Sequence, residues 1–304
     1  MGKDRIVITT SSFGKADKEP LELAEKYFDV VLNPYGRKLT TDEFIELTKD
    51  AVGVIAGVES ITREALEQRK GLKVISRCGV GMDSVDRQAC ADLGIRLCNT
   101  PEAPVDSVAE LTVSLILALL KGIIPMNQEM HNGKWSKQVN YLAKNKNVGI
   151  IGFGRIGKKV ASLLKAFDVN VAYTDLCDQK CSYTFMEKET LLKWADIVTL
   201  HCSGGSGGNY LLGKAEMEQM KEHSYLINTS RGSFIDERAL QNALENGKIA
   251  GAALDVYETE PYAGTLCGLD NVILTPHIAS SAKEGRKVME MEAVKNLMDA
   301  LGIK

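Results

Sequence analysis

The sequence predicts an α/β protein of two units, each built on a mostly parallel sheet wound on both faces by helices. Short Val- and Ile-rich runs alternate with charged amphipathic stretches, they fall into two series, and a long helical pattern from about Val105 to Lys121 joins the series. The first series holds Arg5–Thr9, Val30–Leu32, Val52–Ala56 and Lys73–Ser76. The second holds Val148–Ile151, Val169–Tyr173, Ile197–Leu200, Tyr225–Asn228, Ala250–Leu254 and Val272–Leu274. At 304 residues the chain exceeds one typical domain. Asn99-Thr100-Pro101 and Ala103-Pro104 mark a break between the series, because closely spaced prolines interrupt regular structure. Pro276–Ser281 is a second candidate crossing, followed by a C-terminal helix.

A content of 44% hydrophobic and 25% charged residues is that of an ordinary globular chain able to bury its own core. Lys and Arg (37) nearly balance Asp and Glu (40), which excludes broad electrostatic capture of nucleic acid. The first residues lack a signal-peptide apolar segment, and the longest apolar run, Val113–Leu120, is far short of a bilayer span. A cytoplasmic protein with no membrane partner is expected. Of seven cysteines only Cys177 and Cys181 lie close together, with no His or Cys at ligand spacing beside them. No metal is expected, and the thiols read as reduced, small hydrophobic residues.

The sharpest local signal is Gly152-Phe153-Gly154-Arg155-Ile156-Gly157. Glycine is common here (27 residues), so the spacing alone is weak; its place between a strand and the helical run Lys158–Phe167 gives it force. Gly152 permits a tight turn, Gly154 lets a diphosphate reach the backbone, and Gly157 lets helix and strand pack closely. Asp175 stands 18 residues beyond Gly157, just after the next strand. A carboxylate there accepts hydrogen bonds from ribose hydroxyls and repels a 2′-phosphate. NAD is therefore the expected cofactor, rather than NADP.

Three further strands end in polar residues: Asn228-Thr229-Ser230-Arg231, Asp255–Glu260, and Thr275-Pro276-His277. In doubly wound sheets the strand C-terminal ends line the ligand crevice. Singly, each residue reads as a surface charge or cap. Together they supply what oxidation of a 2-hydroxy acid needs: a histidine to take the hydroxyl proton, a carboxylate to orient it, and an arginine fork for the substrate carboxylate.

These segments, with Ser76-Arg77-Cys78-Gly79-Val80-Gly81-Met82-Asp83, Asn99-Thr100-Pro101 and Ser107–Thr112, resemble the D-isomer-specific 2-hydroxyacid dehydrogenase family over roughly residues 50 to 280. Within it the chain is most similar to phosphoglycerate dehydrogenases without C-terminal regulatory domains. The resemblance implies a Rossmann NAD-binding domain at 102–280, and a flavodoxin-like substrate domain from 1–101 with 281–304. It implies that Arg231 binds the substrate carboxylate, that Glu260 partners His277, and that His277 is the acid–base. Arg77, Val80 and Gly81 would complete the substrate site. Arg155, Ile156, Cys202, Thr229, Ser230 and Ser280 would line the cofactor, with Asp255 on the nicotinamide amide. Two chains would dimerise through the NAD-binding domain. The implied substrate pair is D-3-phosphoglycerate and 3-phosphohydroxypyruvate; an unphosphorylated acid such as glyoxylate or hydroxypyruvate is the alternative, and an NAD-sensing binding protein a more distant one. Two features depart from the family pattern. Gly57-Val58-Glu59-Ser60 replaces a phosphate-binding arginine, and Glu59 would repel a phosphate; Ser203–Gly208 is glycine-rich where the family has a proline.

Overall fold

The computed structural model describes residues 2–204 and 209–303, so most of the glycine-rich loop lies outside the described residues. The chain divides into two compact units, Met1–Pro104 with Ser280–Lys304, and Val105–Ala279.

The first unit runs β1 (Arg5–Ile8), α1 (Glu19–Tyr27), β2 (Asp29–Leu32), α2 (Thr41–Leu47), β3 (Gly53–Ala56), α3 (Arg63–Glu67), β4 (Val74–Arg77), α4 (Arg87–Asp92) and β5 (Arg96–Asn99). Its five strands pair in parallel in the order β2-β1-β3-β4-β5. Pleating sends Val54 and Ala56 to one face, against Phe44, Leu66 and Ile95, and Ile55 to the other. Because both faces are covered, the strands read as continuous apolar runs rather than alternating ones. The strand order reverses between β1 and β3, which brings Thr9 and Gly57 together beyond their C-terminal ends: the Gly57 N–H lies 3.2 Å from the Thr9 hydroxyl. β5 is missing from the sequence reading because Arg96-Leu97-Cys98-Asn99 is a partly exposed edge with no β-branched residue.

The second unit runs α5 (Val105–Lys121), α6 (Ile123–His131), β6 (Asn147–Ile151), α7 (Arg155–Leu164), β7 (Asn170–Thr174), β8 (Thr184–Phe185), α8 (Lys188–Trp194), β9 (Ile197–Leu200), α9 (Lys214–Gln219), β10 (Ser224–Asn228), α10 (Glu237–Glu245), β11 (Ile249–Leu254) and β12 (Val272–Leu274). Its parallel sheet has the order β12-β11-β10-β9-β6-β7-β8, reversing between β9 and β6. Gly157, Val160, Ala161 and Leu164 face inward from α7, at the spacing that lays one helical stripe on a sheet. The helix begins at Arg155, three residues before the sequence places it. Ile116 and Leu120 of α5 join Val160 and Leu164 over Val148, Ile150 and Ile197. Among the described residues no single helix is long and apolar enough to cross a membrane.

A final helix, α11 (Lys283–Ala300), belongs to the first unit, where Met289, Val294 and Leu297 pack on Ile6, Ile8, Ile55 and Val74. Glu290 of this helix is fully buried, pairs with Arg286 at 2.6 Å and accepts the Gly14 N–H at 2.9 Å.

Two expectations need correction. Cys78 and Cys90 are buried as small hydrophobic residues should be, but Cys177, Cys181 and Cys267 are exposed. Trp135, expected to pack, is 79% exposed, because the polar segment around it belongs to no sheet or long helix.

Candidate active site

The glycine turn stands where the second sheet reverses, between β6 and α7. Gly152 has φ +92°, a left-handed conformation that glycine adopts without penalty, and a Cβ there would meet the backbone of His201 and Cys202 at 2.6 Å. A Cβ on Gly157 would overlap the Gly152 carbonyl, so helix and turn pack at backbone contact. Gly154 has nothing within 4 Å of its would-be Cβ. That open face beside the N–H groups of the α7 N-terminus is what a diphosphate requires. Arg155 is exposed and Ile156 half-buried in this first helical turn.

Asp175 follows β7 as expected. Its carboxylate accepts the Phe153 N–H at 2.8 Å and the Leu176 N–H at 2.7 Å. A carboxylate has about four lone-pair sites, so acceptor capacity remains for ribose hydroxyls. Turn, helix end and acid fit a dinucleotide.

Cys202 donates its thiol to the Ile151 carbonyl at 3.4 Å; burial, with the Asp175 charge adding to it, pushes the thiol up to about 11. It is a packing group beside the turn, not a nucleophile. Burial holds the neighbouring His201 down to about 3, so its imidazole is neutral at physiological pH.

His277 is different. It follows β12 at φ +53°, a conformation costing a non-glycine residue about 1–2 kcal/mol. Its Nδ1 lies 2.8 Å from Glu260 Oε2, with both side chains about two-fifths exposed. Burial pushes the Glu260 carboxyl up. The His277 hydrogen bond and charge, the Tyr257 N–H at 3.2 Å and the Arg231 charge outweigh that and hold it below its ordinary range. Arg231 leaves β10 in extended backbone and donates to the Ser230 carbonyl at 2.7 Å. Gly232 puts Arg231 next to the acid loop, since a Cβ there would overlap the backbone of Tyr257 and Glu258.

Several supporting residues escape a reading by sequence. Asn228, buried at the end of β10, accepts the Ser230 N–H and hydroxyl at 3.0 and 2.9 Å and donates to the Arg231 carbonyl at 2.8 Å. Thr112 meets Thr229 hydroxyl to hydroxyl at 3.0 Å. The Tyr257 hydroxyl lies 3.0 and 2.9 Å from the Leu254 and Thr275 carbonyls, tying β11 to β12. An asparagine closing an apolar strand just before Thr-Ser-Arg is the one such signal visible in the sequence. Asp255 is completely buried, and its carboxylate is filled by protein donors, which departs from the expected place on the nicotinamide amide.

In the first unit, the Arg77 guanidinium folds over Gly79 and donates to the Cys78 carbonyl. Val80 and Gly81 follow in a half-buried turn; the Asn99 amide donates to the Val80 carbonyl at 2.8 Å. Ser280 is half-buried at the start of the unit's second stretch. Glu59 is only 2% exposed, and its carboxylate accepts the Gly57 N–H at 3.0 Å and the Thr9 hydroxyl. Among the described residues no three His, Cys, Asp or Glu side chains gather as a metal would need.

Residues 113–279 match the D-isomer specific 2-hydroxyacid dehydrogenase family, NAD binding domain. The chain belongs to this family. It is similar to a glyoxylate reductase of Thermococcus litoralis, at 33% identity over 91% of this chain and 89% of that one. It is also similar to a D-3-phosphoglycerate dehydrogenase of Methanocaldococcus jannaschii, at 39% identity over 82% of this chain; the match spans only 49% of that relative. A crystal structure of a protein from Thermus thermophilus superposes with a TM-score of 0.92 at 34% identity, covering 99% of this chain and 98% of that one. As a family member the chain is an NAD-dependent oxidoreductase of 2-hydroxy acids, with two parallel-sheet α/β domains.

Proposed function

We propose that this dehydrogenase interconverts a small unphosphorylated 2-oxo acid and its D-2-hydroxy acid, with Val105–Ala279 as the NAD-binding domain and the other unit as the substrate domain. The observation that carries the reading is the His277–Glu260 pair at 2.8 Å, beside Arg231. Bound nicotinamide supplies or takes the hydride. With Nδ1 engaged by Glu260, His277 presents Nε2, which gives a proton to the carbonyl oxygen in reduction and withdraws it in oxidation. Glu260 fixes the ring and stabilises the imidazolium. The Arg231 fork pairs with the substrate carboxylate and polarises the carbonyl, and the N–H groups of Val80 and Gly81 receive the carboxylate. Arg155, Ile156, Cys202, Thr229, Ser230 and Ser280 line the cofactor.

The buried Glu59 carboxylate, beyond the ends of β1 and β3, supports the unphosphorylated substrate: a phosphate dianion brought there meets a like charge at low dielectric. The glyoxylate reductase relative, matched nearly end to end, supports it too. A phosphorylated acid, and with it a role in serine biosynthesis, is favoured instead by Arg77 and by the 39% identity to the phosphoglycerate enzyme. NADH oxidation followed across glyoxylate, hydroxypyruvate, pyruvate and 3-phosphohydroxypyruvate separates the two. Highest kcat/KM is expected on an unphosphorylated acid; preference for the phosphorylated one sinks this substrate assignment.

Asp175→Ala is expected to weaken NADH by about 10- to 100-fold, the loss of one or two charge-assisted hydrogen bonds, and to narrow the gap to NADPH. Titration of both cofactors by fluorescence checks this, and unchanged selectivity would refute the ribose assignment.

A homodimer through the NAD-binding domain is part of this reading. Ile123, Ile124, Met130, Trp135 and Val139, on α6 and the segment after it, are exposed apolar residues of the kind a second copy covers. Light scattering should give twice 33.2 kDa, and Trp135→Glu should shift the mass toward the monomer. A monomeric parent protein excludes the dimer.

A further inference from the structure

We propose that Asp255 is a positioning residue for His277, holding the turn that carries the acid–base, rather than a ligand of the cofactor. The inference rests on His277 being that acid–base. Asp255 ends β11, where its N–H continues the ladder to the Asn228 carbonyl at 2.9 Å. Its side chain is wholly buried and points back at the neighbouring strand end. Oδ1 accepts the Thr275 hydroxyl at 2.5 Å and the Ile278 N–H at 2.8 Å; Oδ2 accepts the Ala279 N–H at 2.8 Å. These donors bracket His277 on both sides.

The His277 N–H is itself tied to the Thr275 carbonyl at 3.0 Å, and Ser107 Oγ donates to the Ala279 carbonyl at 2.5 Å. A residue at φ +53° persists only where its surroundings over-determine it, and the Asp255 carboxylate is the group that gathers both flanks. The consequence is the ring's address: fixing 275, 278 and 279 leaves His277 Nδ1 at 2.8 Å from Glu260. A cofactor role would ask the same two oxygens to accept an amide as well, at a side chain with no exposed surface.

Asn has the same shape but one acceptor oxygen. In either amide orientation its NH2 faces at least one donor that Asp255 now satisfies, so Asp255→Asn breaks the turn without removing volume. With NADH saturating, kcat is expected to fall about 100-fold, the scale of an ångström-level misplacement, while the NADH Kd by fluorescence stays within about threefold. In a His277→Ala background the same change should cost nothing further in kcat, because both act through one ring. Thr275→Val, which removes one of the three donors and leaves both N–H groups, should lower kcat about 3- to 10-fold, with Thr275→Ser restoring it.

The proposal is overturned if Asp255→Asn weakens NADH tenfold or more with kcat intact, or if its loss adds to that of His277→Ala. It is also overturned if Thr275→Val keeps the parent kcat, an arm that decides the matter even should Asp255→Asn fail to fold. If instead His277→Ala alone leaves kcat unchanged, the acid–base assignment fails first, which is a different result.

Discussion

His277→Ala should lower kcat by about 10²- to 10⁴-fold, the contribution of a positioned acid–base group, with NADH affinity almost unchanged. His277 is the histidine with both the partner and the access: Nδ1 is held by Glu260 and the ring is about two-fifths exposed. His201 is buried and stays neutral, while His131 and His223 lie on the surface away from the strand C-terminal ends. Stopped-flow turnover and an NADH titration on the same sample separate the two quantities. A variant that loses NADH binding along with turnover would contradict the assignment.

The pair also sets the acid side of the pH profile. Glu260 is held below its ordinary value of 4.5, so it is ionised across the neutral range. Since the folded-state value is depressed, what the pair contributes is present above 4.5 and is lost as pH falls through the lower, folded value. Activity limited by this group should therefore begin to fail only below pH 4.5.

Arg231→Ala carries the second large effect, an expected loss of about 10²- to 10³-fold in kcat/KM, comparable with removing one preorganised donor from a developing oxyanion. The loss should be shared between KM and kcat, because the fork holds the carboxylate in the ground state and the carbonyl oxygen in the transition state. Arg231→Lys should recover little, for an ammonium cannot span two oxygens in one plane. Since Arg231 is among the charges that lower Glu260, its removal should also move the acid limb upward. Steady-state kinetics across pH read all three effects. Full activity in Arg231→Lys would reduce the residue to a generic positive charge.

Much of this site was legible because its logic is local. Gly152, Gly154 and Gly157 must sit at fixed spacing between strand and helix, and Arg231, Glu260 and His277 each follow a strand whose apolar run is plain. What sequence could not show is contact made across the chain. Asp255 reads as a strand-end acid, yet its three donors lie 20 to 24 residues downstream, two of them backbone N–H groups with no compositional signature. Glu59 reads as an exposed loop charge until the parallel pairing of β1 with β3 brings Thr9 to it. β8 is only two residues long, too short for any period to register. Trp135 misled for the opposite reason: its size argued for burial, and the segment that carries it has no core to enter.

The return of α11 has a consequence for how the protein is made. The first unit's sheet is complete at Asn99, but the helix that covers Ile6, Ile8, Ile55 and Val74 begins at Lys283, a stretch of 184 residues later. At about 5–20 residues per second, a ribosome takes roughly 10–40 s to synthesise that stretch. Throughout that interval the nascent sheet shows an uncovered apolar face, while Val105–Ala279 emerges complete and can fold first. Nascent chains of this enzyme should therefore be clients of ribosome-associated chaperones until α11 clears the exit tunnel.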